Sequence, residues 1–415
     1  MISRRGLLTT GLSAAATAAL TSGCGRIGGS DGRVTLEFFQ FKPEAVATFH
    51  RLIDQFEAEH PGIRVVQNNV PAFETAIRTR LVRGDIPDVV SLNGNFTFGE
   101  IASSGVWHDF AAAPDAWDIA PGIQDVLDTL GTYQPGEHNG LPFAANASGI
   151  LYNRRLFAQH DVAVPTTWGE LIDAARTFRR AGITPFYGTL ADAWTSMPAF
   201  NALASSLHPP QEFFPERLAG RTTFTEAYAE VADKLAELYS YTQDDMAART
   251  YDEGNQAFAQ GQSAMYLMGS FAIPPIKSFQ PDFEIGSFAL PASDDPAATR
   301  LVSGADVALT IGRDPAHREE VMTFLRFLMR PDVMRSYADE QLAVPTLNGL
   351  QPESPELAEV RPFIDEGRIV GFTDHMIPRA VQLEAVTQQF LLDGDRDGYL
   401  ATLDEEWDTY QDRHA

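Results

Sequence analysis

Apolar positions set an alternation of short extended runs and one-sided helices along the first quarter of the chain. Val34-Thr-Leu-Glu-Phe-Phe39 reads as a strand, after which Val46, Phe49, Ile53 and Phe56 fall on one helical face before His60-Pro61-Gly62 stops the run. Arg64-Val-Val-Gln67 then resumes an extended pattern, so the segment predicts a strand, helix, strand unit of a largely parallel sheet. Gly84-Asp-Ile-Pro87 predicts a turn ahead of a short buried-type strand, Asp88-Val-Val-Ser-Leu92. Together these elements predict an α/β architecture.

Farther on, Thr167-Trp-Gly-Glu170 has the spacing of a capping box, in which a threonine and a glutamate satisfy free amides at a helix start. Trp168, Leu171, Ile172, Ala175 and Phe178 continue it as one apolar face that ends at Gly182. Asp314-Pro315 predicts a second helix start with proline in the first position, followed by the stripe Val321, Phe324, Leu325 and Leu328. At 415 residues the chain exceeds what one core fills, and two domains are expected.

The amino terminus changes the picture of where the protein works. Arg4-Arg5 precedes a weakly apolar stretch, Gly6 to Leu20, too short and too rich in Ala, Gly and Thr to span a bilayer. Residues 1–23 therefore read as a signal peptide; the paired arginines resemble a twin-arginine export signal. Ser22-Gly23-Cys24 resembles the end of a lipoprotein processing site, although Thr21 stands where Leu, Val or Ile is usual. The expectation is a protein anchored through lipid on Cys24 to the outer face of the cell membrane, with residues 24–32 as a flexible tether. Cys24 is the single cysteine, which excludes an internal disulfide and a cysteine metal cluster.

Charge and motifs exclude several function classes. A net charge of −25 repels nucleic acid, and no Lys/Arg stripe offers a local exception. Lysine occurs only at Lys42, Lys234 and Lys277, none after a glycine as a P-loop requires; no His-Glu pair and no Gly-x-Ser-x-Gly elbow appear. No cofactor is expected. Asp393, Asp395, Asp397 and Asp404 have the spacing of a calcium loop with Gly398 in the sixth place, but the twelfth place lacks the usual glutamate, and no metal site is assigned.

Several runs resemble a known family when taken in order. They are Leu52 to Val65, Gly84 to Val90, Gly140-Leu-Pro-Phe-Ala-Ala-Asn-Ala-Ser-Gly-Ile-Leu-Tyr-Asn-Arg-Arg-Leu-Phe157, Val164-Pro-Thr-Thr-Trp-Gly-Glu-Leu171, Phe258 to Phe271 and Phe324 to Val333. They are similar to the sugar-type extracellular solute-binding proteins of ABC importers, the broad family that contains maltose-binding protein. The resemblance implies two α/β lobes with a ligand cleft between them, the first formed by 33–144 plus 305–345 and the second by 145–304 plus 346–415. It implies a monomer, without enzymatic activity, that captures a carbohydrate and delivers it to a membrane permease. An exported glycoside hydrolase and a surface lipoprotein that binds a protein partner are the alternatives.

A sugar offers apolar ring faces and many hydroxyls, so its site needs flat aromatic rings beside amides and carboxylates. Gln40, Phe41 and Lys42 follow the first strand, and Asn93, Asn95 and Phe96 follow the Asp88 to Leu92 strand, where α/β sheets place ligands. The resemblance puts Asp192 and Trp194 on a loop facing the cleft, and Ser270 and Phe271 at another aromatic position of the family. Asn146 and Asp306 lie at the expected crossings between lobes. His375 completes the candidates.

Overall fold

The computed structural model describes residues 32–111, 116–120 and 122–414. The expected export signal, Cys24 and all of the tether but Gly32 lie outside the described residues.

Twelve strands are formed among the described residues, in chain order β1 (Val34–Phe39), β2 (Ile63–Asn68), β3 (Val89–Leu92), β4 (Leu141–Ala145), β5 (Ile150–Asn153) and β6 (Thr184–Tyr187), then β7 (Ser263–Tyr266), β8 (Ile285–Phe288), β9 (Leu301–Val302), β10 (Ala305–Thr310), β11 (Val344–Pro345) and β12 (Ile369–Val370). Six of them make one sheet in the order β11-β4-β10-β3-β1-β2, four make a second in the order β6-β7-β5-β8, and β12 pairs with β9.

In the first sheet β1 is parallel to β2 and β3, as a strand, helix, strand unit requires, but β10 lies antiparallel between β3 and β4. The expectation of a largely parallel sheet thus holds for half of it. The reason is connectivity: β10 returns from the other sheet and enters from the opposite end.

Helix Val46–Glu59 buries Thr48, Phe49, Leu52, Ile53 and Phe56. Val46, expected on that face, is exposed because the helix starts there, above the turn Pro43–Ala45. Phe38 meets the rings of Phe49 and Phe324 edge-on at 5.0 and 5.8 Å, and the apolar face of helix Arg318–Leu328 closes this core. Asp314 and Pro315 do not cap that helix; they stand in a turn before it, and Glu319 and Glu320 supply the negative charge its amino end favours.

Around the second sheet the Thr167 capping box forms in full, and helix Trp168–Arg180 buries the residues its periodicity predicts. Its core extends to the last two helices, Leu383–Asp393 and Arg396–His414, through Phe390, Tyr399, Leu403 and Trp407. Each sheet therefore has its own core, and the molecule has two lobes.

The calcium-like spacing serves helix ends. Asp404 accepts the Phe224 and Thr225 amides at 2.7 and 3.0 Å and pairs with buried Arg217 at 3.3 Å. Asp393 accepts the Asp395 amide, and Asp395 that of Gly398. Asp404 lies inside helix Arg396–His414, far along it from Asp393, so the four carboxylates do not converge. No helix among the described residues is long and apolar enough to cross a membrane.

Candidate functional site

The lobes are joined where β4 runs into β5 and β9 into β10, two stretches that lie side by side. The Asn146 amide donates to the Gly304 carbonyl at 3.3 Å, the Ser148 amide to Val302 at 2.9 Å, and the Ser303 hydroxyl to the Asn146 carbonyl at 2.7 Å. A side chain at Gly149 would meet the Phe288 carbonyl oxygen at 2.3 Å, so this passage between lobes admits only glycine. A third connection follows β11, which pairs with β4.

First-lobe candidates cluster on the loops that follow β1 and β3. Gln40 is fully buried and its amide closes a small ring on Lys42, donating to the carbonyl at 2.8 Å and accepting from the N–H at 2.5 Å. It shapes the turn that follows β1. Phe41 is half-buried edge-on to Phe73. Lys42 is buried with its ammonium on the Asp306 carboxylate, and Glu44 stands 3.7 Å from it.

Asn95 caps helix Phe96–Ser103, accepting the Thr97 and Phe98 amides at 3.0 and 3.3 Å and donating to Glu74 at 3.3 Å. Asn93 and Asn146 each keep a buried side-chain oxygen without a hydrogen-bond partner. Buried polar atoms are rarely left so.

On the second lobe Asp192 accepts the Tyr251 amide at 2.7 Å and so fixes the start of helix Tyr251–Ala259 against the turn Ala193–Ser196. That docking brings Trp194 edge-on to Tyr251, with ring centroids 4.9 Å apart, and within 6.3 Å of Phe271. The three rings form a half-buried aromatic corner. Burial, with smaller contributions from Asp252 and from Glu44 of the first lobe, pushes the Tyr251 phenol up to about 12. Ser270 is buried and its hydroxyl accepts the Ala147 amide at 3.2 Å, which ties it to the crossing.

A cavity of about 540 Å³ opens between the lobes. Asn95 and Phe96 contribute its first-lobe wall, and Ala193, Met197, Asp374, His375, Arg379 and Glu384 are prominent on the other side. His375 stacks on Phe372 with centroids 4.7 Å apart. Across the rim Arg379 reaches both carboxylate oxygens of Glu74 at 2.6 Å, and Phe96 meets Tyr410 edge-on at 6.4 Å.

Of the residues singled out by sequence, Asn95, Phe96 and His375 line this cavity, and Trp194 adjoins it through Ala193. Lys42, Asn146 and Asp306 gather at the crossings instead. Sequence reasoning missed Glu44, Glu74, Tyr251, Asp374, Arg379 and Glu384. Only Tyr251 carries a local signal, the capping box of Thr250 and Glu253 immediately around it.

Among the described residues no group of three histidine, cysteine or acidic side chains has the geometry of a metal site.

Comparison with known proteins agrees with that geometry. A family model described as bacterial extracellular solute-binding protein matches residues 42–335. The multiple sugar-binding protein of Streptococcus mutans is 26% identical over 342 residues, covering 78% of each chain. The melibiose/raffinose/stachyose-binding protein MelE of Bacillus subtilis is 22% identical over 304 residues, 70% of this chain and 69% of that one. Among solved structures, apo RafE from Streptococcus pneumoniae superposes with a TM-score of 0.80 at 25% identity, covering 92% of this chain and 98% of RafE. RafE in complex with raffinose gives 0.77, with 90% and 98% covered.

Proposed function

The chain belongs to the bacterial extracellular solute-binding proteins, and from that premise we propose that it captures a carbohydrate outside the cytoplasm and hands it to the membrane permease of an ABC importer. The observation that carries the reading is the cavity of about 540 Å³ between the lobes, bordered by the Trp194 turn and walled by groups from both sheets. Flat rings take the apolar face of a sugar while amides and carboxylates meet its hydroxyls. Relatives named for binding melibiose, raffinose and stachyose support an oligosaccharide as the solute. The site holds its ligand and releases it unaltered.

Thermal denaturation with melibiose, raffinose, stachyose and their component monosaccharides tests this. A true ligand raises the melting temperature with concentration, about 2.7 kcal/mol of added stability at a hundred times Kd. Calorimetry is expected to give one site per chain, and chromatography to return the sugar intact. Failure of every carbohydrate to stabilise the protein would overturn the reading, and hydrolysed or transferred sugar would make it a glycosidase.

We further propose that lipid on Cys24 holds the protein on the outer face of the membrane and that the chain works as a monomer. One acyl chain binds a bilayer only marginally, so the several chains of a bacterial lipoprotein are needed for firm retention. Cys24→Ala is expected to move the protein from the membrane fraction to the soluble one in fractionated cells. Retention of the variant with the membrane would refute the anchor.

A further inference from the structure

Groups from both lobes meet at the rim of the cavity. Arg379 opens the turn Arg379–Val381 on the second lobe, and one of its guanidinium nitrogens lies 2.6 Å from both carboxylate oxygens of Glu74 on the first. Beside them Phe96 meets Tyr410 of the last helix edge-on at 6.4 Å. Both contacts join residues of different lobes, so opening the cleft at this rim pulls them apart.

Each half of the ion pair is anchored in its own lobe. Glu74 stands in the first turn of helix Phe73–Val82, where negative charge is favoured. It accepts the Thr97 hydroxyl at 2.9 Å and the Asn95 amide at 3.3 Å, and Asn95 is itself fixed as the cap of helix Phe96–Ser103. On the other lobe Pro378 precedes Arg379, and buried Val381 ties the turn into the second core. The carboxylate is oriented before Arg379 reaches it, which lowers the ordering cost of the contact.

The Arg379 side chain is 70% exposed, and an exposed ion pair adds little to global stability. Between open and closed lobes, however, only contacts that differ between the two states count. The Arg80–Glu37 pair lies inside one lobe and cancels. Arg379–Glu74 exists only when the rim is shut, so its whole energy bears on closure. Asn95 and Arg379 also line the cavity, which makes the contact continuous with the wall that a solute meets.

We propose that Glu74 and Arg379 form a latch that favours the closed lobes without a ligand and thereby sets how tightly the protein retains its solute. The latch acts on the lobes themselves and goes beyond the carbohydrate reading.

The test reads the lobes in ligand-free protein. On the chain carrying Cys24→Ala, spin labels at exposed Val82 and Leu218, one on each lobe, give the distribution of distances between them, and X-ray scattering of the unlabelled proteins gives the radius of gyration. Glu74→Gln and Arg379→Gln are each expected to cut the ratio of closed to open molecules about threefold at low salt, and the double variant no further than either single one. Arg379→Lys keeps the charge and is expected to retain most of the closed population. Raising salt to about 0.5 M is expected to open the parent in the same way and to leave the variants where they are. With raffinose as the solute, Kd is expected to rise by up to the same threefold, because a ligand that needs the closed form binds in proportion to its population.

A ligand-free distribution that Glu74→Gln leaves unchanged would overturn the latch. Should that variant not fold, Arg379→Gln, at the more exposed side chain, carries the same comparison. Tighter raffinose binding by Glu74→Gln would mean that Arg379, once freed, serves the sugar directly, and would overturn the latch as well. Absence of raffinose binding bears on the solute reading alone, because the ligand-free comparison needs no sugar and still decides the latch.

Discussion

Asp306→Ala is expected to lower global stability by about 3 kcal/mol, because it strands a buried ammonium. The Lys42 side chain is 8% exposed and its charge rests on Asp306, whose own side chain is 11% exposed. Removing one partner of such a pair leaves the other unsolvated and unpaired, which typically costs about 3–5 kcal/mol. Glu44, 3.7 Å from the same ammonium and open to solvent, offsets part of this and puts the loss at the low end.

The companion variant separates a stranded charge from lost packing. With Lys42→Met added to Asp306→Leu, both charges are gone and similar volume remains, and stability is expected to return to within about 1 kcal/mol of the parent. Denaturant melts of the three proteins decide the matter. A single Asp306→Ala that melts like the parent would mean that Lys42 finds water or Glu44 without cost, and that the pair does not hold the base of the first lobe together.

The contrast between this pair and the helices shows what a linear sequence carries. The Thr167 capping box, the buried face of helix Trp168–Arg180 and the strands β1 to β3 all depend on residues a few positions apart, and they are legible. The antiparallel insertion of β10 is not, since it depends on a strand arriving from the other lobe. Asp393 to Asp404 misled for a related reason: spacing gives the order of carboxylates but not that a helix beginning at Arg396 carries Asp404 away to cap Phe224.

The candidate site divides along the same line. Loops after β1 and β3 could be pointed to from the strand pattern, yet which side chains face outward could not: Gln40 turns back onto Lys42, while Asn95 caps its helix and still borders the cavity. Glu74 and Arg379 are 305 positions apart and meet only because the lobes do. Asp374 stood beside a residue already singled out, but nothing short of the fold distinguishes its buried oxygen, which accepts no hydrogen bond, from that of any exposed aspartate.

Trp194→Ala is expected to weaken carbohydrate binding by about 2 kcal/mol, roughly thirtyfold in Kd, with a smaller loss of stability. A sugar ring exposes C–H bonds that water solvates poorly, and a flat indole gains apolar burial against them while the hydroxyls remain free to bond. Trp194 is half-buried: part of its surface is taken by Tyr251 and Phe271, and it stands in the turn Ala193–Ser196, whose first residue lines the cavity.

That division predicts two separable costs. A fully buried tryptophan would give up about 3–5 kcal/mol of stability on truncation; half-burial against two rings puts the expected loss nearer 1–2 kcal/mol. Phenylalanine at the same position keeps the edge contact with Tyr251 and most of the stability but presents a smaller face, and an intermediate affinity is expected. Melting temperature and Kd measured on the same preparations of Trp194→Ala and Trp194→Phe resolve the two. Unchanged affinity in a destabilised alanine variant would make Trp194 a prop for the Tyr251 helix and take it out of the ligand site.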